Sequence, residues 1–233
     1  MQFTRALTLA ALAGLSLPAA ATLSFDFGDL KYQNGVNSGF LPTDGVRCTS
    51  GDLCSSNVDH GTRNGDLTYT VSSVTVHATA SFNGGAAAVV QDHDNAWRDG
   101  LLNGAGLGVY HLSGNNSDDN ITTGEVLTLT FDHAVTITGI GLRAEGHNVT
   151  NWVNGATFLL NGQPVALPKG TGEITQQQWT GTTFTFAYGG AKADQFYLSS
   201  LDIMDPVPEP SSGALAAAGL AVLGGLARRR RAR

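Results

Sequence analysis

The chain has 233 residues, 42% hydrophobic and only 14% charged, with 30 glycines and a formal net charge of −6. Six of the 13 basic residues (Arg5, Arg228, Arg229, Arg230, Arg231 and Arg233) lie at the two ends, so the stretch from Thr22 to Pro210 holds 7 basic against 19 acidic groups, a net of −12. That stretch has no basic stripe to neutralise phosphates, which argues against nucleic-acid binding, while an acidic surface stays soluble and attracts divalent cations.

Met1 to Ala21 has the layout of a secretory signal peptide. Arg5 forms the positive start, Ala6 to Leu17 the apolar centre, and Ala19-Ala20-Ala21 a small-residue cleavage site. Export through the Sec machinery is the expectation. Cys48 and Cys54 are the two cysteines. In an exported chain an isolated close pair predicts a disulfide, worth about 2 kcal/mol for so small a loop. A zinc site would need further ligands, and only His60 lies nearby.

Helical periodicity is nearly absent from the central stretch. Short alternating runs between Gly, Asn and Asp clusters predict an all-β domain. From Leu67 to Phe82 the apolar positions change parity at Ser72-Ser73, which predicts a bulge or a bend between sheets there. Glu125 to Phe131 places Leu127, Leu129 and Phe131 on one face. Asp132-His133 is the expected turn to a hairpin partner, Val135 to Leu142. The parity change within that partner predicts a bulge at Gly139. Asn161-Gly162 predicts a tight hairpin between Leu160 and Val165. Thr182 to Tyr188 and Phe196 to Ile203 supply further strands. The expected architecture is an antiparallel β-sandwich, jelly-roll-like, with a barrel as the second choice.

Chemistry-bearing motifs are sparse. The sequence has no Gly-x-Ser-x-Gly elbow, no His-Glu-x-x-His, no P-loop and no EF-hand loop. Gly104 to Gly108 is glycine-rich but precedes a strand, so turn glycines explain it better than a dinucleotide site. Asp118, Asp119, Asn120 and Glu125 form an oxygen-rich set that suits calcium, with Asp92 or Asp94 arriving from another loop. The competing reading is a solvated polar turn. Among the acids, Asp92, Asp94, Asp99, Glu125 and Glu145 are the first to inspect for a glycosidase pair. Trp97, Trp152 and Trp179 are expected in packing more than on a sugar-stacking face.

The tail has three parts: Val207-Pro208-Glu209-Pro210, an uncharged run from Ser211 to Ala227, and the arginines 228–231 and 233. Pro208 and Pro210 hold the first part extended and accessible. The 17 residues of the run make about 26 Å of helix, a short span for a bilayer core of about 30 Å. The arginines act as cytoplasmic stop charges by the positive-inside rule. This device resembles the PEP-CTERM sorting signal handled by exosortases. Gly106 to Val109, Asp118 to Ile121, Gly124 to Asp132 and Phe196 to Leu201 are similar to stretches of exosortase-dependent surface proteins.

The resemblance implies exosortase as a processing partner, transient membrane contact, and a place at the cell surface, in the outer membrane or in an exopolysaccharide matrix. It brings no catalytic residues. The expected organisation is a signal peptide (1–21), a β-sandwich domain (22–205) and a sorting signal with a transmembrane helix (206–233). The expected role is non-enzymatic, structural or adhesive. The alternatives are a calcium-assisted carbohydrate-binding module and a secreted glycan hydrolase.

Overall fold

The computed structural model describes residues 20–33, 36–43, 53–54, 65–92, 104–111, 119–149 and 152–206, with Gly219, Leu220 and Arg228 of the tail. The strands in chain order are β1 (Ala20–Phe25), β2 (Leu30–Gln33), β3 (Val36–Gly39), β4 (Leu53–Cys54), β5 (Leu67–Val71), β6 (Val74–Phe82) and β7 (Gly85–Asp92). They continue with β8 (Gly106–Tyr110), β9 (Glu125–Arg143), β10 (Thr157–Leu160), β11 (Gln163–Ala166), β12 (Glu173–Ile174), β13 (Trp179–Tyr188) and β14 (Tyr197–Pro206). Thr22–Asp205 forms one compact unit.

The all-β expectation holds, but the sandwich gives way to the second choice. Strands β14, β8, β7, β6 and β9 pair in that order, and β9 pairs with β14 again, so the sheet closes into a barrel. The cause is the length of β9, 19 residues. Its first half pairs with β6 (Leu129 opposite Ala78) and its second half with β14 (Ile140 opposite Leu201). Strand β13 lines the other edge from Val126 to Ile137, β12 takes that edge at Ile140 and Gly141, and β10 and β11 extend the sheet beyond β13. Closure removes the open edges that two separate sheets would expose.

The long strand also overturns the hairpin expected at Asp132-His133. Those residues stay within β9, and the chain bulges there, because Val135 faces Gly181 while Thr130 already faces Thr183. Leu127, Leu129, Phe131, Val135 and Ile137 keep one parity, so all remain in the core without a turn. The second bulge falls where the sequence places it. Ile137 pairs with Ile203 and Gly139 with Asp202, which leaves Thr138 as the extra residue and brings Ile140 and Leu142 back inside. At Ser72-Ser73 the parity change is a two-residue hairpin: Val71 faces Val74, and Ser72 takes a φ of 54°.

The Asn161-Gly162 turn is as expected, with φ of 52° and 76° and Leu160 opposite Gln163. A Cβ on Gly162 would meet nothing within 4 Å, so only the left-handed backbone penalises a side chain there. Gly162→Ala should cost about 1 kcal/mol, read as a small fall in thermal midpoint. No change would mean that the turn relaxes freely.

Inside, an aromatic group gathers at one end. Phe27 and Phe40 pack on Tyr69, with ring centroids at 5.0 and 5.3 Å, and Phe25 and Phe131 meet edge-on at 5.9 Å. Such pairs contribute about 0.5–1.5 kcal/mol each beyond their buried area. Gln91, fully buried, anchors this group. Its Nε2 donates to the carbonyls of Phe27 (2.9 Å) and Phe40 (2.8 Å), and its Oε1 accepts from Tyr69 (2.9 Å). Trp152 is buried, with Nε1 donating to the Gln195 carbonyl, and Trp179 packs on the core. Trp97 lies outside the described residues.

Gly219, Leu220 and Arg228 have helical backbone and are exposed. The rest of the expected tail helix lies outside the described residues. Among the described residues, no helix is long and apolar enough to cross a membrane.

Candidate functional site

Two polar sites stand on the barrel. The first is a carboxylate cluster where β7 and β9 end and β14 begins. Asp92, 4% exposed, closes β7 opposite Gly106. A strip carrying Asp119 and Asn120 runs along β8, held by Val109 N donating to Asn120 O at 3.2 Å. The turn after β9 is tied by Ala144 N to Asn148 O and by His147 N to Ala144 O. It holds His147 at a φ of 62°. That conformation aims Nε2 of His147 at Oδ2 of Asp92, 2.6 Å away, and sets its ring edge-on to Tyr197 at 5.6 Å. Tyr197 donates its hydroxyl to Oδ1 of Asp119 at 2.6 Å. Asn120 donates through Nδ2 to Glu145. Its own Oδ1 is buried without a hydrogen-bond partner among the described residues, as is Nε of Arg143.

The electrostatics follow from burial. Asp119 is pushed up to about 7, first by desolvation and then by the charge of Asp92; the Tyr197 hydrogen bond and His147 pull the other way. Tyr197 is raised far above its usual value, chiefly by burial and by Asp119, so it remains a proton donor. Among the described residues, no group of three His, Cys, Asp or Glu side chains is arranged to hold a metal ion.

Of the four residues expected as calcium ligands, Asp119 and Asn120 belong to this cluster, and Asp92 joins them from β7. Asp118 lies outside the described residues, as do Asp94 and Asp99. Glu125 is engaged elsewhere. It is buried, with Oε1 2.6 Å from Nδ1 of His111 and Oε2 accepting from Thr122 N at 2.7 Å. His111 in turn stacks on Phe82 at 3.7 Å, so Glu125 ties the end of β8 to the start of β9. Glu145 supplies the carboxylate beside Asn120 instead, a pairing across 25 residues that no local motif announces. Cys48 and the side chain of Cys54 lie outside the described residues, and so does the expected disulfide.

The second site is a groove with a cavity volume of about 280 Å³ on the face of the barrel opposite the core. Four neighbouring strands or strand ends line it: β1 with Ser24 and Asp26, β14 with Ser199, Ser200 and Asp202, β9 with Gly141 and Arg143, and the β12 region with Thr171 and Glu173. The alternation of β1, β9 and β14 accounts for this. Phe25, Leu142, Leu201 and Ile203 face inward, and their neighbours face out. Asp26 is raised above the ordinary carboxylate value by burial and by Asp29, opposed by backbone donors and by Arg143.

At the end of β14, Asp205 is tied to the barrel. Its Oδ1 lies 2.8 Å from Nε2 of His133, and its Oδ2 accepts from the Ser73 hydroxyl at 3.2 Å. The Asp205 hydrogen bond raises His133 above its usual value. The next residue opens a match to a family model: residues 206–231 match the PEP-CTERM protein-sorting motif. The chain carries a PEP-CTERM sorting motif. The PEP-CTERM motif implies processing by an exosortase and export to the cell envelope or surface. Neither a curated protein nor a solved structure matches the chain. The sorting residues Val207 to Pro210 and Arg229 to Arg233 lie outside the described residues, and Arg228 is exposed.

Proposed function

We propose that this PEP-CTERM protein is a non-catalytic component of the cell surface or of the exopolysaccharide matrix, with a structural or adhesive role. The sorting motif beginning at Pro206, the last residue of β14, carries this reading. The match begins at the last residue of β14, so cleavage near Pro208-Glu209-Pro210 would release or re-anchor the folded unit. The N-terminal segment brings it across the membrane, the tail pauses it there, and exosortase removes the stop charges. Mass spectrometry of the protein from a host with an active exosortase tests this. The expected mature chain ends near Pro208 to Pro210. A mature chain that retains Arg228 to Arg233 would sink the reading.

A second reading, a carbohydrate-binding module, is favoured by the outer groove, whose lining supplies hydroxyls, carboxylates and a guanidinium together.

A further inference from the structure

We propose that the groove between β1, β14, β9 and β12 binds a single polyhydroxylated ring, neutral or amine-bearing, of the hexose or hexosamine class. This rests on the second reading above and names its ligand.

The lining decides the chemistry. Ser24, Thr171, Ser199 and Ser200 both donate and accept, Arg143 only donates, and Asp26, Glu173 and Asp202 accept when ionised. Such a mixture matches a sugar ring, whose hydroxyls each donate and accept. Three carboxylates stand against one guanidinium, so the groove repels a uronate or a sulfated ring and favours an ammonium group. The volume of about 280 Å³ lies at the lower end of small-molecule sites, enough for one ring and too small for a bound chain. Among the described residues no aromatic side chain lines the groove, so recognition falls to hydrogen bonds and not to stacking.

The floor is shaped for this. A Cβ on Gly141 would stand 2.2 Å from the Ser200 hydroxyl oxygen and 2.8 Å from that of Ser199. Glycine there lets both hydroxyls sit over β9. A Cβ on Gly172 would come within 2.5 Å of the Val149 side chain and 3.0 Å of the Leu142 carbonyl oxygen. Both glycines keep the cleft open at the place where β12 meets β9.

Calorimetric titration of the full chain with glucose, glucosamine and glucuronate tests the assignment. Glucosamine should bind at least as well as glucose, and glucuronate roughly tenfold or more weakly than either. Asp202→Asn should weaken glucosamine by roughly tenfold, the effect of losing one charge-assisted hydrogen bond, and should narrow the gap to glucuronate. Ser200→Ala, which keeps the Cβ, serves as the milder variant, and an unchanged melting midpoint identifies both variants as folded. Binding of none of the three sugars, or preferred binding of glucuronate, overturns the proposal. So does release of new reducing ends from a neutral oligosaccharide, which would make the carboxylates a hydrolytic set. None of these outcomes touches the sorting reading, whose test is the mature C-terminus.

Discussion

Gly108→Ala is expected to destabilise the barrel by about 3–5 kcal/mol or to prevent its folding. An added Cβ would stand 1.6 Å from the carbonyl oxygen of Asp119, 2.5 Å from its carbonyl carbon and 2.9 Å from Cα of Asn120. All three are backbone atoms, so no side chain can swing aside. The 119–120 strip would have to lift off β8. That movement breaks the Val109 to Asn120 hydrogen bond and withdraws the acceptor of Tyr197, so the carboxylate cluster should be lost along with the stability. Gly85→Ala is the control, since its nearest neighbour is the Phe82 carbonyl oxygen at 3.4 Å. Urea denaturation of both variants makes the comparison. Equal midpoints would show that the close approach of the strip is not a constraint.

Asp119→Asn is expected to stabilise the protein, and to do so only above acid pH. The value of about 7 in the folded protein lies above the ordinary carboxylate value of 3.8. The folded state therefore holds this proton more tightly than the unfolded chain does. The stability linked to Asp119 is present below about pH 4 and is lost as pH rises through about 7. Asparagine keeps an oxygen for the Tyr197 hydroxyl and places a neutral amide beside Asp92. The gain at pH 8 should reach about 2–4 kcal/mol, at 1.36 kcal/mol per pKa unit shared across a coupled cluster. For a chain of this size that is roughly 5–12 °C in midpoint. Thermal melts of both proteins at pH 5 and pH 8 read it directly. A gain of the same size at both pH values would mean that packing, and not charge, sets the difference.

These two sites show where sequence reading works and where it stops. The alternation of Leu127, Leu129 and Phe131, the phase change near Gly139 and the Asn161-Gly162 pair are local signals. Each is read from neighbours two residues apart, because strand geometry has that period. The same signals led to a false turn at Asp132-His133. A bulge and a turn both interrupt pairing, and only the partner strand β13, running unbroken past the interruption, distinguishes them.

The sorting motif was legible from the tail, because its residues are contiguous in the chain. Composition and alternation were likewise enough for an all-β domain, since burying one face of each strand is a local demand. Tertiary structure alone decided the rest. Closure of the barrel depends on β9 reaching both β6 and β14. The partners of Asp119 come from β7, β14 and the turn after β9. The groove is assembled from Ser24 to Asp202, residues far apart in the chain. Burial and charge act through space, and these groups become neighbours only when the sheet rolls up and meets its own edge.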